Sequence, residues 1–155
     1  MTTQKHIWQF SRIGGVNRVN ITSGADIAAL ASLDQKLWTA LSCPVHGLEI
    51  DAATLSLLDM DNDGKIRVPE VLNAVQWVLS VIKNPDELLQ GSDALPLSSI
   101  NEANDLGKNL LASAKQVLRF LGKPDADVVT LNDVADPLAI FKDTQFNGDG
   151  IITEL

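Results

Sequence analysis

Between Asp59 and Glu70 the chain crowds four carboxylates, Asp59, Asp61, Asp63 and Glu70, around one glycine, Gly64. Like charges so close together in a short turn repel, and a solvated acidic turn does not call for a glutamate at its twelfth residue. A cation would settle both points. The run Asp59-Met60-Asp61-Asn62-Asp63-Gly64-Lys65-Ile66-Arg67-Val68-Pro69-Glu70 satisfies D-x-[DN]-x-[DN]-G-x5-E at every fixed position. Ca2+ is a hard ion that takes six to eight oxygens at about 2.3 to 2.6 Å, so one short loop must wrap it. Asp59, Asp61 and Asp63 stand at loop positions 1, 3 and 5, each able to present a carboxylate oxygen. Lys65, at position 7, would add its backbone carbonyl, and Glu70 would close the sphere with both oxygens. Gly64 permits the sharp turn. Mg2+ is the poorer fit to a flexible loop offering many protein oxygens.

On these residues the segment resembles the loop of the EF-hand calcium-binding family. The resemblance implies that Ile66, at position 8, forms a short strand paired with a partner loop. Pro69 is tolerated because a first-turn amide has no acceptor within its helix. Arg67, at position 9, cannot accept a hydrogen bond, so water alone is expected at that vertex.

A weaker echo closes the chain. When Gly150 is aligned with Gly64, Gln145, Asn147, Asp149 and the carbonyl of Ile151 fall at positions 1, 3, 5 and 7. Asp143 is the alternative first ligand if Gln145 and Phe146 form an insertion. Position 12 would be residue 156, so this second loop is expected to be incomplete, and Ile152 is the expected strand partner of Ile66. The distance between the loops argues against the tandem dockerin modules that carry similar sequences. The chain looks like the N-terminal part of a larger bacterial EF-hand protein.

Around the loops the pattern reads as helical. Ile7 to Ile21 alternates about Gly14-Gly15, predicting a hairpin within residues 1–22. Asp26 to Leu41 has helical spacing with a break near Asp34. Asp51 caps Ala52–Leu58, and an apolar helix follows Glu70, so 51–83 forms the first hand. That helix is apolar enough to be largely buried. Asn84-Pro85-Asp86-Glu87 starts a short helix. Ser99 and Glu102 make a capping box before an inserted long helix, within 97–122, that ends at Gly122. Thr130 and Asp133 cap a last helix to about Lys142, leading into a truncated second hand over 130–155. The expected fold is mainly α: an EF-hand-like helix-loop-helix pair with inserted helices and a small N-terminal β-hairpin, in one domain.

Twenty acidic residues against 12 basic give a net charge of -8, which suits cations and argues against nucleic acid or an anionic membrane as partner. No apolar run approaches the length of a membrane span, and the lone Cys43 fits a reducing compartment, so a cytoplasmic location is expected. Cys43 and His46 have the spacing of half a zinc site but lack companion ligands in the sequence. No catalytic constellation stands out, so an enzyme is not expected. Two roles follow. The favoured one is a calcium-dependent regulatory or interaction module, with a protein partner or the remainder of a longer chain as its target. The other is a domain stapled by its ion without switching.

Overall fold

The first hairpin is formed by β1 (Gln9–Ile13) and β2 (Val16–Asn20), antiparallel with Phe10 opposite Val19. Its two-residue turn holds Gly14 and Gly15 at φ +59° and +83°, a left-handed pair that suits the twist of a tight hairpin. This computed structural model describes residues 6–136 and Ile140.

Helix α1 (Gly24–Ala29) starts from a reciprocal cap, in which the Ser23 side chain accepts from the Asp26 amide and Asp26 accepts from the Ser23 amide. Asp26 is buried, and the Thr22 amide, the Ser23 hydroxyl and His6 hold its carboxyl well below the usual range. The helix is short. Leu33 adopts extended backbone, and Asp34 turns its carboxylate onto the Lys36 amide, so the chain breaks near Asp34 as expected but carries two 3-10 turns where α-helix was expected on either side of the break. Gly24 lies so close to the backbone at Pro85 and Asp86 that a Cβ would sit 2.6 Å from the Asp86 nitrogen. The 3-10 turn Pro85–Leu89 is therefore seated against the start of α1.

Next come β3 (Ser42–Pro44), α2 (Ala52–Leu58), β4 (Lys65–Arg67) and α3 (Val68–Val81). Then β5 (Ala94–Pro96), α4 (Asp105–Phe120), β6 (Val128–Thr130) and α5 (Leu131–Val134) complete the described elements. They fall into two compact units, one made of residues up to 79 with 85–89, the other of 80–84 with the residues from 90 onward.

The expectation of a mainly α, EF-hand-like pair is overturned. Of the described residues 47% are helical, 3-10 turns included, and 18% are strand, arranged in three two-stranded sheets with five α-helices, so the class is mixed α/β. Three-residue strands lack the length for alternation to show, and each finds its partner far along the chain. Nor is α3 largely buried. Val68 and Val81 are buried, but Trp77 is 52% exposed.

In the second unit, α4 turns Leu111 and Leu118 onto Leu97 and Ile100, with Leu110 and Ala114 at the margin. This is the stripe of a half-buried helix, and each fully buried leucine or isoleucine contributes about 1.5 to 3 kcal/mol. The helix begins later than the Ser99 and Glu102 box would place it. Asn104 is the cap, accepting from the Gly107 amide at 2.9 Å, while Leu97–Ser99 forms a 3-10 turn. It stops as expected at Gly122, whose φ is +72°, with Gly122 and Lys123 donating back to Arg119 and Leu118. The Thr130 and Asp133 box forms. Helix α5 ends at Val134, because the residue before Pro137 is biased away from helical backbone; Ile140, whose amide donates to the Asp136 carbonyl at 3.3 Å, is again helical, and the rest of the expected run to Lys142 lies outside the described residues.

Candidate metal site

The loop from Asp59 is set by its two flanks. Asp51 caps α2 by accepting from the Thr54 amide at 2.8 Å, and Leu55 and Leu58 turn inward one helical turn apart. On the far side β4 pairs antiparallel with β3, Cys43 opposite Ile66, and the Val45 amide donates to the Gly64 carbonyl at 3.1 Å. Val45, Leu55 and Ile66 form a buried cluster with Cys43, Leu58 and Val71 packed on it. The acidic loop thus rests on an apolar floor. Ile152, the expected partner of Ile66, lies outside the described residues; among those residues Ile66 pairs with Cys43, on a strand upstream of α2.

The carboxylates of Asp59, Asp61 and Asp63 converge, each offering an oxygen within 4.8 Å of the others, and this group could hold a metal ion. Asp59 is buried, whereas the other two are exposed. The chain is bent around them by Asn62 at φ +57° and Gly64 at φ +81°. An asparagine tolerates that conformation better than most residues, and glycine adopts it freely. Backbone amides point inward. Asp63 and Gly64 donate to the two oxygens of Asp59 at 3.2 and 2.9 Å, and Lys65 donates to Asp63 at 3.0 Å.

Glu70 stands apart from the three aspartates. It is buried, with Oε1 accepting from the Met60 amide at 2.9 Å and Oε2 from the Arg67 amide at 2.7 Å, so it ties the two ends of the loop together. Lys65 is exposed and pairs with Pro44 in the sheet. Arg67, for which only a water-filled vertex was expected, has a charge pairing that sequence reasoning missed. Its guanidinium donates to Asp63 and lies 3.8 Å from Asp61. That hydrogen bond is the main cause lowering the Asp63 carboxyl below its ordinary value and raising Arg67. The i, i+4 spacing of opposite charges was the available signal.

The second-loop candidates Asp143, Gln145, Asn147, Asp149 and Ile151 lie outside the described residues. Cys43 is half-buried in β3, and His46 is exposed beyond it. Beside the loop, a cavity of about 220 Å³ is lined by Trp38, Leu41, Cys43, Leu58 and Val71 and also by Ile66 and Val68. The Trp38 indole nitrogen is buried without a hydrogen-bond partner. No helix among the described residues is long and apolar enough to cross a membrane. No protein-family profile, curated protein or solved structure matches the chain.

Proposed function

We propose that residues 59–70 bind Ca2+ in the manner of an EF-hand loop, and that the protein serves as a calcium-dependent regulatory or interaction module of a larger protein. The observation that carries the reading is the convergence of Asp59, Asp61 and Asp63 on a loop bent by Asn62 and Gly64. Hard oxygen donors in a flexible loop favour Ca2+ over Mg2+ or a transition metal. On this reading Glu70 and the Lys65 carbonyl complete the sphere, and Glu70 exchanges its amide partners for the ion. The apolar cavity supports an interaction role, because its lining includes Ile66 of β4 and Val68 at the start of α3, both within the 59–70 loop. Calorimetric titration with Ca2+, alongside dye binding to exposed apolar surface, tests both parts. Absence of binding heat removes the proposal; binding with less dye uptake favours a staple over a module.

The staple reading has its own support in the apolar floor and the Glu70 tie, which would let an ion fasten the loop without moving it. Arg67 separates the ion from its rivals for charge. Arg67→Gln removes a cation from Asp63 and Asp61, so Ca2+ affinity is expected to rise several-fold at low salt and by less at high salt. Titrations at two ionic strengths check this. Unchanged or weaker binding in the variant would show that Arg67 does not compete.

A further inference from the structure

The two units repeat one pattern of contacts, with one offset along the chain from the helix through the closing carboxylate and a shorter one for the strand upstream of that helix. In the first, Leu55 is buried before the loop, the Val45 amide donates to the Gly64 carbonyl, Ile66 pairs with Cys43, and the Arg67 amide donates to Glu70. In the second, Leu118 is buried, the Leu97 amide donates to the Asp127 carbonyl at 2.8 Å, Val129 pairs with Leu95, and the Thr130 amide donates to Asp133 at 2.9 Å. Lys123 falls where Met60 does. Met60 reaches the free oxygen of its carboxylate through an amide, whereas Lys123 reaches Asp133 Oδ1 through its ammonium.

We propose that residues 122–133 are the second unit's counterpart of the 59–70 loop, with the Lys123 ammonium standing in for a bound cation on the closing carboxylate. The leading halves differ as this requires. Where the first loop presents Asp59, Asp61 and Asp63, the second has Gly122, Pro124 and Ala126, and its start is rebuilt as the stop of α4. The trailing half keeps the strand, the buried carboxylate and its amide bond. The Asp133 side chain is 4% exposed, so a charge there needs a permanent partner. Lys123 supplies it, and its hydrogen bond, with those from Thr130, holds the carboxyl down to about 2. Because that value is depressed, the stabilisation is present above the ordinary value of 3.8 and is lost as pH falls toward 2. The second unit therefore has its cation built in and folds without calcium.

The inference uses the cation reading of 59–70 for its comparison, but its test stands apart. Amide hydrogen exchange is followed on the whole chain in Ca2+ and in chelator, for the parent, Lys123→Met and Lys123→Arg. In the parent, chelation is expected to leave the 122–134 amides unchanged. Lys123→Met should speed their exchange at least tenfold in both conditions, and Lys123→Arg should restore most of the protection because it keeps the charge. Retained protection in Lys123→Met, loss of protection on chelation, or equal loss in both variants would overturn the proposal. If Lys123→Met opens the whole second unit, recovery in Lys123→Arg still decides it. If chelation also leaves 59–70 unchanged, calcium binding there fails while the Lys123 arm decides this inference.

Discussion

Gly107→Ala is expected to melt the second unit well below the parent, against the usual direction for a glycine-to-alanine change in a helix. Alanine ordinarily favours a helix interior by about 1 kcal/mol. Here a Cβ at position 107 would lie 1.7 Å from the Asn101 carbonyl oxygen and 2.7 Å from its carbon. Backbone offers no flexible end that can swing aside. Asn101 is itself fixed, since its amide donates to the Val81 carbonyl at 2.7 Å and its side chain to the Ser80 carbonyl. Either α4 or the Ile100 segment must shift, and Ile100 is fully buried in the core beside Leu111 and Leu118. Overpacking of this kind costs about 1 to 3 kcal/mol and often more when backbone must move. Ser113→Ala, exposed on the same helix, is the control and should melt with the parent. Trp8, Trp38 and Trp77 all lie in the first unit, so fluorescence should keep its parent midpoint while far-ultraviolet circular dichroism loses an early component. Parent-like melting by both probes would show that the approach of Asn101 relaxes at little cost.

The close approach at Gly107 was invisible in the sequence, where a lone glycine inside a helical pattern reads as a mild defect. The local chemistry was readable. Gly14-Gly15 announced the hairpin, Asp51 and Thr130 announced helix starts, and Gly122 announced a stop, because each acts through neighbours within a few residues. The three convergent aspartates were readable for the same reason. What failed depended on distant partners. Cys43, weighed only as a lone thiol and half of an incomplete zinc spacing, lies in the strand that pairs with Ile66, and Leu95 and Val129 make a sheet from segments separated by all of α4. Helix periodicity also carried too far in Asp26 to Leu41, where α1 stops at Ala29 and Asp34 caps its own turn.

Saturating Ca2+ is expected to raise the melting point of the first unit by upwards of about 10 °C, and Asp61→Ala is expected to lose most of that rise. An ion that binds only the folded loop stabilises it by mass action, by about 2.7 kcal/mol at a hundredfold excess over its dissociation constant. In a unit of this size each kilocalorie moves the midpoint by about 4 to 8 °C. Asp61 is the informative residue, because Asp59 and Glu70 also hold the loop together through the amides of Gly64, Met60 and Arg67. Loss of either would confuse folding with binding. Asp61 is exposed and holds the loop only through a 3.2 Å bond from the Asp63 amide and a loose pairing with Arg67. In chelator the variant should therefore melt close to the parent, or slightly above it as repulsion with Asp59 and Asp63 is relieved. Tryptophan fluorescence is the suitable probe, since Trp38 lines the cavity beside the loop strand. A parent midpoint that is the same in Ca2+ and in chelator, or an Asp61→Ala protein that keeps the full rise, would rule out the three aspartates as the calcium site.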